Sequence, residues 1–272
     1  MKILEWNIKG GASFGWSGKK IDSKLSNEVF NHDADVIVLT EFVIIQGIDF
    51  LFEEFDENEY IYFTSCCSGK NGVLIAIKKE LVNVNAFMTA VYTNNLISSH
   101  TEGCNYLKVE LPLNTGENLV IIGCRMETGH NKNLKAQYDF ERVYFDEILI
   151  PAIGPLKEDY KYIIAGDFNN AACYGNLNKP YNPENYTNSD GSKKYQYNYN
   201  LNIIKDEFET IGFEMVDKTH DGKYIGTWSK KSNTRNKIPN DHIFVKGFRF
   251  TGECKPIPTD KSDHYILVAK VE

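Results

Sequence analysis

The chain has 272 residues, a formal net charge of −7 and 42% hydrophobic residues. That is enough to bury a sizeable core, and one layered α/β catalytic domain over residues 1–272 is expected. Acidic and basic residues are mixed along the sequence, which excludes a protein that coats nucleic acid or anionic membrane through bulk charge; any grip on phosphate must be local.

The opening "MKILEWN" is strand-like and lacks a charged n-region, apolar h-region and small-residue cleavage site, so no secretion signal is expected. No apolar run approaches bilayer-spanning length. "DVIVLTE" (35–41), "NGVLIAIKK" (71–79), "YLKVELP" (106–112), "NLVIIGCR" (118–125) and "YKYIIAGD" (160–167) read as strands, and "DHIFVKG" and "DHYILVAKV" close the chain as two more. Ile21, Leu25 and Val29 recur at helical spacing, as do residues from Leu134 through Tyr138 and Phe145 to Leu149. A third helix is expected over 201–211 with Gly212 as its C-cap. The stretch 174–200, rich in Asn, Tyr, Pro and Gly, reads as a long surface loop whose Tyr-rich end could offer a stacking surface. Six cysteines, Cys66, Cys67, Cys104, Cys124, Cys173 and Cys254, show neither CxxC nor zinc spacing. They are expected reduced, in a cytoplasm.

Four of these strands end by releasing polar groups: Asn7 after "KILEW", Glu41 after "VIVLT", Arg125 after "VIIGC", and Asp167 with Asn169 after "YIIAG". The last two strands do the reverse, since Asp241 and His242 precede "IFV" while Asp263 and His264 precede "YILVA". Asp167 and Asn169 alone are equally readable as turn formers. If the last two strands run antiparallel to the first four, however, all of these groups meet at one edge. The set is rich in hard oxygen donors and holds no cysteine, which suits magnesium or manganese better than zinc. His242 alternates to the opposite face of its strand and reads as structural.

The ordered set "WN" (Trp6, Asn7), "TE" (Thr40, Glu41), "GDFN" (166–169), "ND" (Asn240, Asp241) and "SDH" (262–264) resembles the endonuclease/exonuclease/phosphatase superfamily, which includes exonuclease III and deoxyribonuclease I. The resemblance implies a four-layer sandwich, two mixed β-sheets face to face with helices outside, acting on phosphate esters with a divalent metal. It implies Glu41 as principal metal ligand, Asp263 as a second metal-site carboxylate or water-positioning group, and Asn7 as a residue near the metal or positioning the catalytic Asp. Asp167 would orient and deprotonate the attacking water, and Asn169 would donate to a phosphoryl oxygen. His264 would contact phosphate with Asp241 supporting its charge. Two positions depart from the pattern. Arg125 stands where many members carry His or Tyr, so it can bind phosphate but not transfer a proton. Lys9 stands where some apurinic endonucleases carry an acidic ligand, which argues against a second tightly held metal beside Asn7.

The expectation is a Mg2+-dependent (Mn2+ possible) phosphodiesterase, monomeric and without membrane association, whose substrate is nucleic acid, DNA or RNA. "WSKKSNTRNK" (228–237) sets four cations beside an aromatic residue near the site edge, suited to a strand backbone, although a solvated basic loop has the same composition. A lipid, inositol or nucleotide phosphate is the alternative substrate, and a catalytically silent binding protein of the same fold is the alternative class.

Overall fold

A computed structural model describes residues 1–9, 24–44, 48–65, 71–86, 88–92, 105–126, 145–169, 189, 197–218, 225–228 and 239–272. One sheet is built from β1 (Lys2–Asn7), β2 (Val36–Phe42), β3 (Tyr60–Thr64), β4 (Gly72–Lys78), β11 (Phe250–Ile257) and β12 (Ile266–Val271). The other contains β5 (Thr89–Tyr92), β6 (Tyr106–Pro112), β7 (Asn118–Arg125), β8 (Tyr160–Asp167), β9 (Glu214–Met215) and β10 (Asp241–Lys246). The orders are β11-β12-β1-β2-β4-β3 and β5-β6-β7-β8-β10-β9. Helices α1 (Lys24–Phe30), α2 (Ile48–Glu57), α3 (Ile150–Ile153, continuing a π-helical stretch Phe145–Leu149) and α4 (Tyr197–Thr210), with a 3-10 turn Lys79–Leu81, complete the described elements. None of these helices is long and apolar enough to cross a membrane.

Three apolar layers explain why the central strands are apolar without alternation. Val36 and Val38 of β2 face the other sheet, packing in one core with Val109, Ile121, Ile163 and Ile243. Their neighbours Ile37 and Leu39 face outward onto Leu25 and Val29 of α1 and Leu51 and Phe55 of α2. On the far side, Ile122, Ile164 and Phe244 pack against Phe145, Leu149, Ile204 and Phe208. A strand buried on both faces reads as a continuous β-branched run. This is the four-layer sandwich implied by the sequence. The sheets approach closely at Gly123, where a Cβ would stand 2.4 Å from Val73 Cγ1, so that position has no room for a side chain.

The strand directions decide where the polar ends go. β1 pairs β2 in parallel, and β7 pairs β8 in parallel. β12 runs antiparallel to β1, and β10 antiparallel to β8 with Asp241 opposite Asp167. The C-terminal ends of β1, β2, β7 and β8 therefore share an end of the sandwich with the N-terminal ends of β10 and β12, as the sequence required.

Some boundaries differ from expectation. The last strand begins at Ile266 rather than Asp263. Tyr197–Asn200, expected at the end of a loop, open α4; apart from Ser189, the rest of 174–200 lies outside the described residues. Gly212 follows α4 with φ +88, as a C-cap requires. Residues 134–144, four of the cysteines, His130 and the cations of the basic segment also lie outside the described residues, while Cys124 and Cys254 are free thiols.

Candidate active site

Asp167 ends β8 and is 1% exposed. Alternation along Asp167-Phe168-Asn169 sends the central ring outward, where Phe168 packs edge-on against Phe208 and Phe244 and anchors the turn. The carboxylate points to the sheet interface, where Asn7 Nδ2 of the opposite sheet donates to its Oδ2 at 2.8 Å. Asn169 donates twice to the same group, from its backbone to Oδ1 at 2.9 Å and from Nδ2 to Oδ2 at 3.1 Å. Gly166 makes the approach possible: at φ +152 its missing Cβ would lie 1.8 Å from the Cys124 carbonyl oxygen.

Burial first, then the nearby Asp241, raises the Asp167 carboxyl from 3.8 to about 7, against the lowering effect of His264 and Arg125. Such a carboxylate is poised to take a proton near neutral pH. His264, 6% exposed, directs Nδ1 at Asp241, with 2.8 Å to Oδ2 and 3.1 Å to Oδ1. A carboxylate only accepts, so Nδ1 carries the hydrogen and Nε2 is left for a ligand. Burial would lower this imidazole, but the charge and hydrogen bond of Asp241, with Asp167 and Asp263, more than offset it and hold it at about 9. Thr227 fixes the start of β10 by accepting from the backbones of Asn240 (3.3 Å) and Asp241 (3.2 Å).

Glu41 sits at a bulge of β2 with φ +51, and its Oε1 accepts from Arg125 Nε at 2.9 Å across the sheet interface. Asp263 is held by Lys9 Nζ at 2.8 Å and by Trp228 Nε1 at 3.3 Å, both on Oδ2. Both carboxylates expected to bind metal thus carry basic partners. A different trio, Asp167, Asp241 and His264, offers ligand atoms within 4.8 Å of one another and could hold a metal ion. That trio is already satisfied internally by the bonds above, whereas the Glu41 carboxylate is engaged at Oε1 and can offer Oε2. The donor set of carboxylates, carboxamides and imidazole, with no thiol, fits a hard divalent cation.

The sequence matches the model of the Endonuclease/Exonuclease/phosphatase family over residues 4–264. The chain belongs to this family. No curated protein is similar enough in sequence to match it. Among solved structures, a humanized D. rerio TDP2 is similar, with a TM-score of 0.64, 17% identity, and coverage of 100% of this chain and 98% of that one. An AP endonuclease from Archaeoglobus fulgidus gives 0.63 and 15%, covering 99% and 98%. ANGEL2, a 2′,3′-cyclic phosphatase in complex with adenosine-2′,3′-vanadate, gives 0.63 and 14%, covering 99% and 94%. At these identities the likeness establishes the fold. Members of the family act on phosphate esters.

All eight sequence-selected residues lie at the same end of this endonuclease/exonuclease/phosphatase sandwich. Asn7, Asp167 and Asn169 form one bonded set and Asp241 with His264 a second next to it; Glu41 with Arg125, and Asp263 with Lys9, form two ion pairs beside them. Both hydrogens of Asn169 Nδ2 are engaged in this structure, by Asp167 and by the Met126 carbonyl at 2.6 Å. Asn7 likewise commits both polar atoms, since its Oδ1 accepts from Lys9 N at 3.0 Å. His242 is structural as expected: it lies among Phe168 and Phe244, with Nδ1 2.7 Å from Asp217 Oδ2.

The sequence reading passed over Asp217, whose Oδ1 also takes the Ile243 N–H at 2.9 Å, and gave no role to Ser262 of the SDH motif, whose Oγ donates to the Asn7 carbonyl at 2.7 Å. It also passed over Glu5. This carboxyl is fully buried, neither oxygen has a hydrogen-bond partner among the described residues, and burial first, then Asp241, Asp167 and Asp217, raise it well above the usual range. The available signal was strand alternation: Ile3 faces the sheet interface, so Glu5 and Asn7 must follow it there.

Proposed function

We propose that this chain is a Mg2+- or Mn2+-dependent phosphodiesterase that cleaves nucleic-acid strands. The observation that carries the reading is the joint placement of Asp167 and the Asp241–His264 pair, from two sheets, beside Glu41. Asp167, aimed by Asn7 and Asn169, accepts the proton of an attacking water as its oxygen bonds to phosphorus, while the phosphorus–oxygen bond to the departing strand end breaks and that alkoxide takes a proton from solvent. Protonated near neutral pH, His264 offers Nε2–H to a phosphoryl oxygen as negative charge develops there. Asp241 fixes the tautomer and supports that charge, the logic of a hydrolase triad's acid. Arg125 adds a fixed positive charge next to Glu41. A divalent cation held by Glu41 would neutralise phosphate charge and polarise the phosphorus–oxygen bonds.

The preference for a strand rests on Arg125 and on the cations Lys230, Lys231, Arg235 and Lys237 in the sequence that follows Trp228. D. rerio TDP2 has been solved with a single-strand DNA product, which is compatible with that preference. The net charge of −7 favours a second reading, a small phosphorylated substrate. The test compares cleavage of a long strand and of a dinucleotide by the parent chain and by a variant with all four cluster cations changed to Ser. Loss confined to the long strand, with a steep salt dependence that flattens in the variant, supports the nuclease. An equal effect on both substrates overturns it in favour of the small substrate.

A further inference from the structure

Lys9 holds a position that the mechanism above does not use. It lies two residues past β1 with φ +49, a left-handed conformation that a long side chain adopts at some cost in strain. Among the described residues, Glu41 and Asn169, at φ +51 and +47, are the other two non-glycine residues of this kind at the site edge. What holds Lys9 there is Asn7: its Oδ1 accepts the Lys9 backbone N–H at 3.0 Å while its Nδ2 holds Asp167 Oδ2 at 2.8 Å. One carboxamide therefore registers the Lys9 backbone against the proposed base.

The other end of the side chain is tethered as well. Nζ meets Asp263 Oδ2 at 2.8 Å. The loop carrying Asp263 is pinned to β1, because Ser262 Oγ donates to the Asn7 carbonyl at 2.7 Å and accepts from His264 N at 3.1 Å. With side chains 60% and 30% exposed, the pair contributes little to folding stability, so stability does not account for it. An ammonium has three donors, and the bond to Asp263 uses one of them.

We propose that Lys9 is a phosphate-binding residue of this site, an anchored ammonium standing where a second divalent cation would otherwise sit, so that the site works with one divalent ion. The proposal rests on the phosphodiesterase reading. A second cation beside Asn7 would find Asn7 Oδ1 committed to the Lys9 backbone and could reach Asp263 only at Oδ1, because Lys9 Nζ and Trp228 Nε1 hold Oδ2. It would also face the repulsion of an adjacent ammonium. Lysine binds phosphate as a point charge, which needs no strict ligand geometry and remains at the site in the absence of metal.

Three measurements on the full-length chain test this. Calorimetric titration with inorganic phosphate in chelator is expected to show affinity roughly tenfold weaker in Lys9→Met and within about threefold of the parent in Lys9→Arg, as the loss or retention of one charge-assisted bond predicts. Titration with Mn2+ is expected to fill one site per chain in the parent and in Lys9→Met, and to lose that site in Glu41→Gln. Turnover of bis(4-nitrophenyl) phosphate with Mg2+ is expected to fall about tenfold or more in Lys9→Met, mainly in kcat. Unchanged phosphate affinity in a folded Lys9→Met, or two Mn2+ sites in the parent, overturns the proposal. Lys9→Gln repeats the measurement if Lys9→Met aggregates. Phosphate affinity that falls in Lys9→Met while the parent hydrolyses no phosphodiester leaves the Lys9 site standing and removes the hydrolase reading. Robust parental turnover with Lys9→Met unchanged in both affinity and rate removes Lys9 alone.

Discussion

Replacing Asp241 by Asn removes one charge from the site and keeps the shape of the side chain. His264 stands at about 9 because Asp241, with Asp167 and Asp263, overcomes a burial effect that alone would lower it from 6.5. Lifting an imidazole that far corresponds to roughly 3 kcal/mol in favour of the protonated, folded form. A group raised in the folded state contributes stability that is fully present below its unfolded value, about 6.5. That stability is lost as pH rises through the folded value, about 9. For 272 residues, at about 2.1 cal/mol/K per residue, 3 kcal/mol is roughly 5 °C in Tm. Asp167 acts in the same direction in a lower window: raised by burial first and then by Asp241, it stabilises below 3.8, and that contribution is lost as pH rises through about 7. Thermal melts in chelator should therefore show Tm falling by about 5 °C between pH 6.5 and 9 in the parent. In Asp241→Asn burial dominates His264, so this fall should vanish, and the fall assigned to Asp167 below pH 7 should shrink. The variant should also be about 3–5 kcal/mol less stable near pH 6, the cost of breaking a buried pair. A parental Tm that is flat from pH 6.5 to 9, or an Asn variant with the same slope, would refute this electrostatic account.

Asp167→Asn should lower kcat on a phosphodiester by about a hundredfold or more while leaving the fold intact by circular dichroism, since it removes the proton acceptor; near-parental rates would exclude Asp167 as the base. Glu41→Gln should raise the Mg2+ concentration needed for half-maximal rate, by roughly tenfold or more, and chelator should abolish parental activity; activity that persists in chelator would contradict the metal requirement. Arg125→Lys should cut kcat roughly tenfold or more, because an ammonium cannot reproduce the guanidinium contact to Glu41 together with a hold on phosphate. Equal rates for the Arg and Lys forms would reduce Arg125 to a bulk charge.

The parts of the fold that were legible are those buried on both faces. In β7 and β8 the buried runs, 119–124 and 162–166, hold no charged residue, so the strands could be read directly, and each run stopped at the first residue with site chemistry, Arg125 or Asp167. Edge strands carry weaker signals. β11 contains Gly252 and Pro256, pairs only with β12, and is mostly half or fully exposed, so its sequence shows no period. α2 has Ile48, Leu51 and Phe55 on its buried face, but Phe50 and Phe52 interrupt the stripe, and the helix escaped the sequence reading. The last strand was read three residues too early because Asp263 and His264 bond to Lys9, Trp228 and Asp241 instead of continuing a ladder. Residue identities at the site were legible, as were the Asn7–Asp167 and Asp241–His264 pairings that the resemblance implied; the ion pairs of Glu41 and Asp263 were not. Lys9 and Asp263 lie 254 positions apart, and only the antiparallel return of β12 beside β1 brings them together.

Glu5 carries the argument one step further into the interior. Among the buried carboxyls at this end, Asp167, Asp217 and Asp241 each have hydrogen-bond partners, and two imidazoles, His242 and His264, supply the basic partners of the last two. Among the described residues Glu5 has no such partner, and an added negative charge would face three other carboxyls in a buried interior. The lower-energy state is the neutral acid, because a buried ion without a counter-ion costs several kcal/mol while an unpartnered neutral polar group costs about 1–3. Gln is nearly isosteric with that neutral acid. Glu5→Gln should therefore change stability by less than about 1 kcal/mol near pH 6, and should become the more stable form at alkaline pH. The sign follows from the raised folded value: the contribution of Glu5 is present below about 4.5 and is lost only as pH rises through that higher value. Urea unfolding of both forms at pH 6 and pH 9 decides the matter. A loss of about 3 kcal/mol at pH 6 would mean that Glu5 is an anion with a partner.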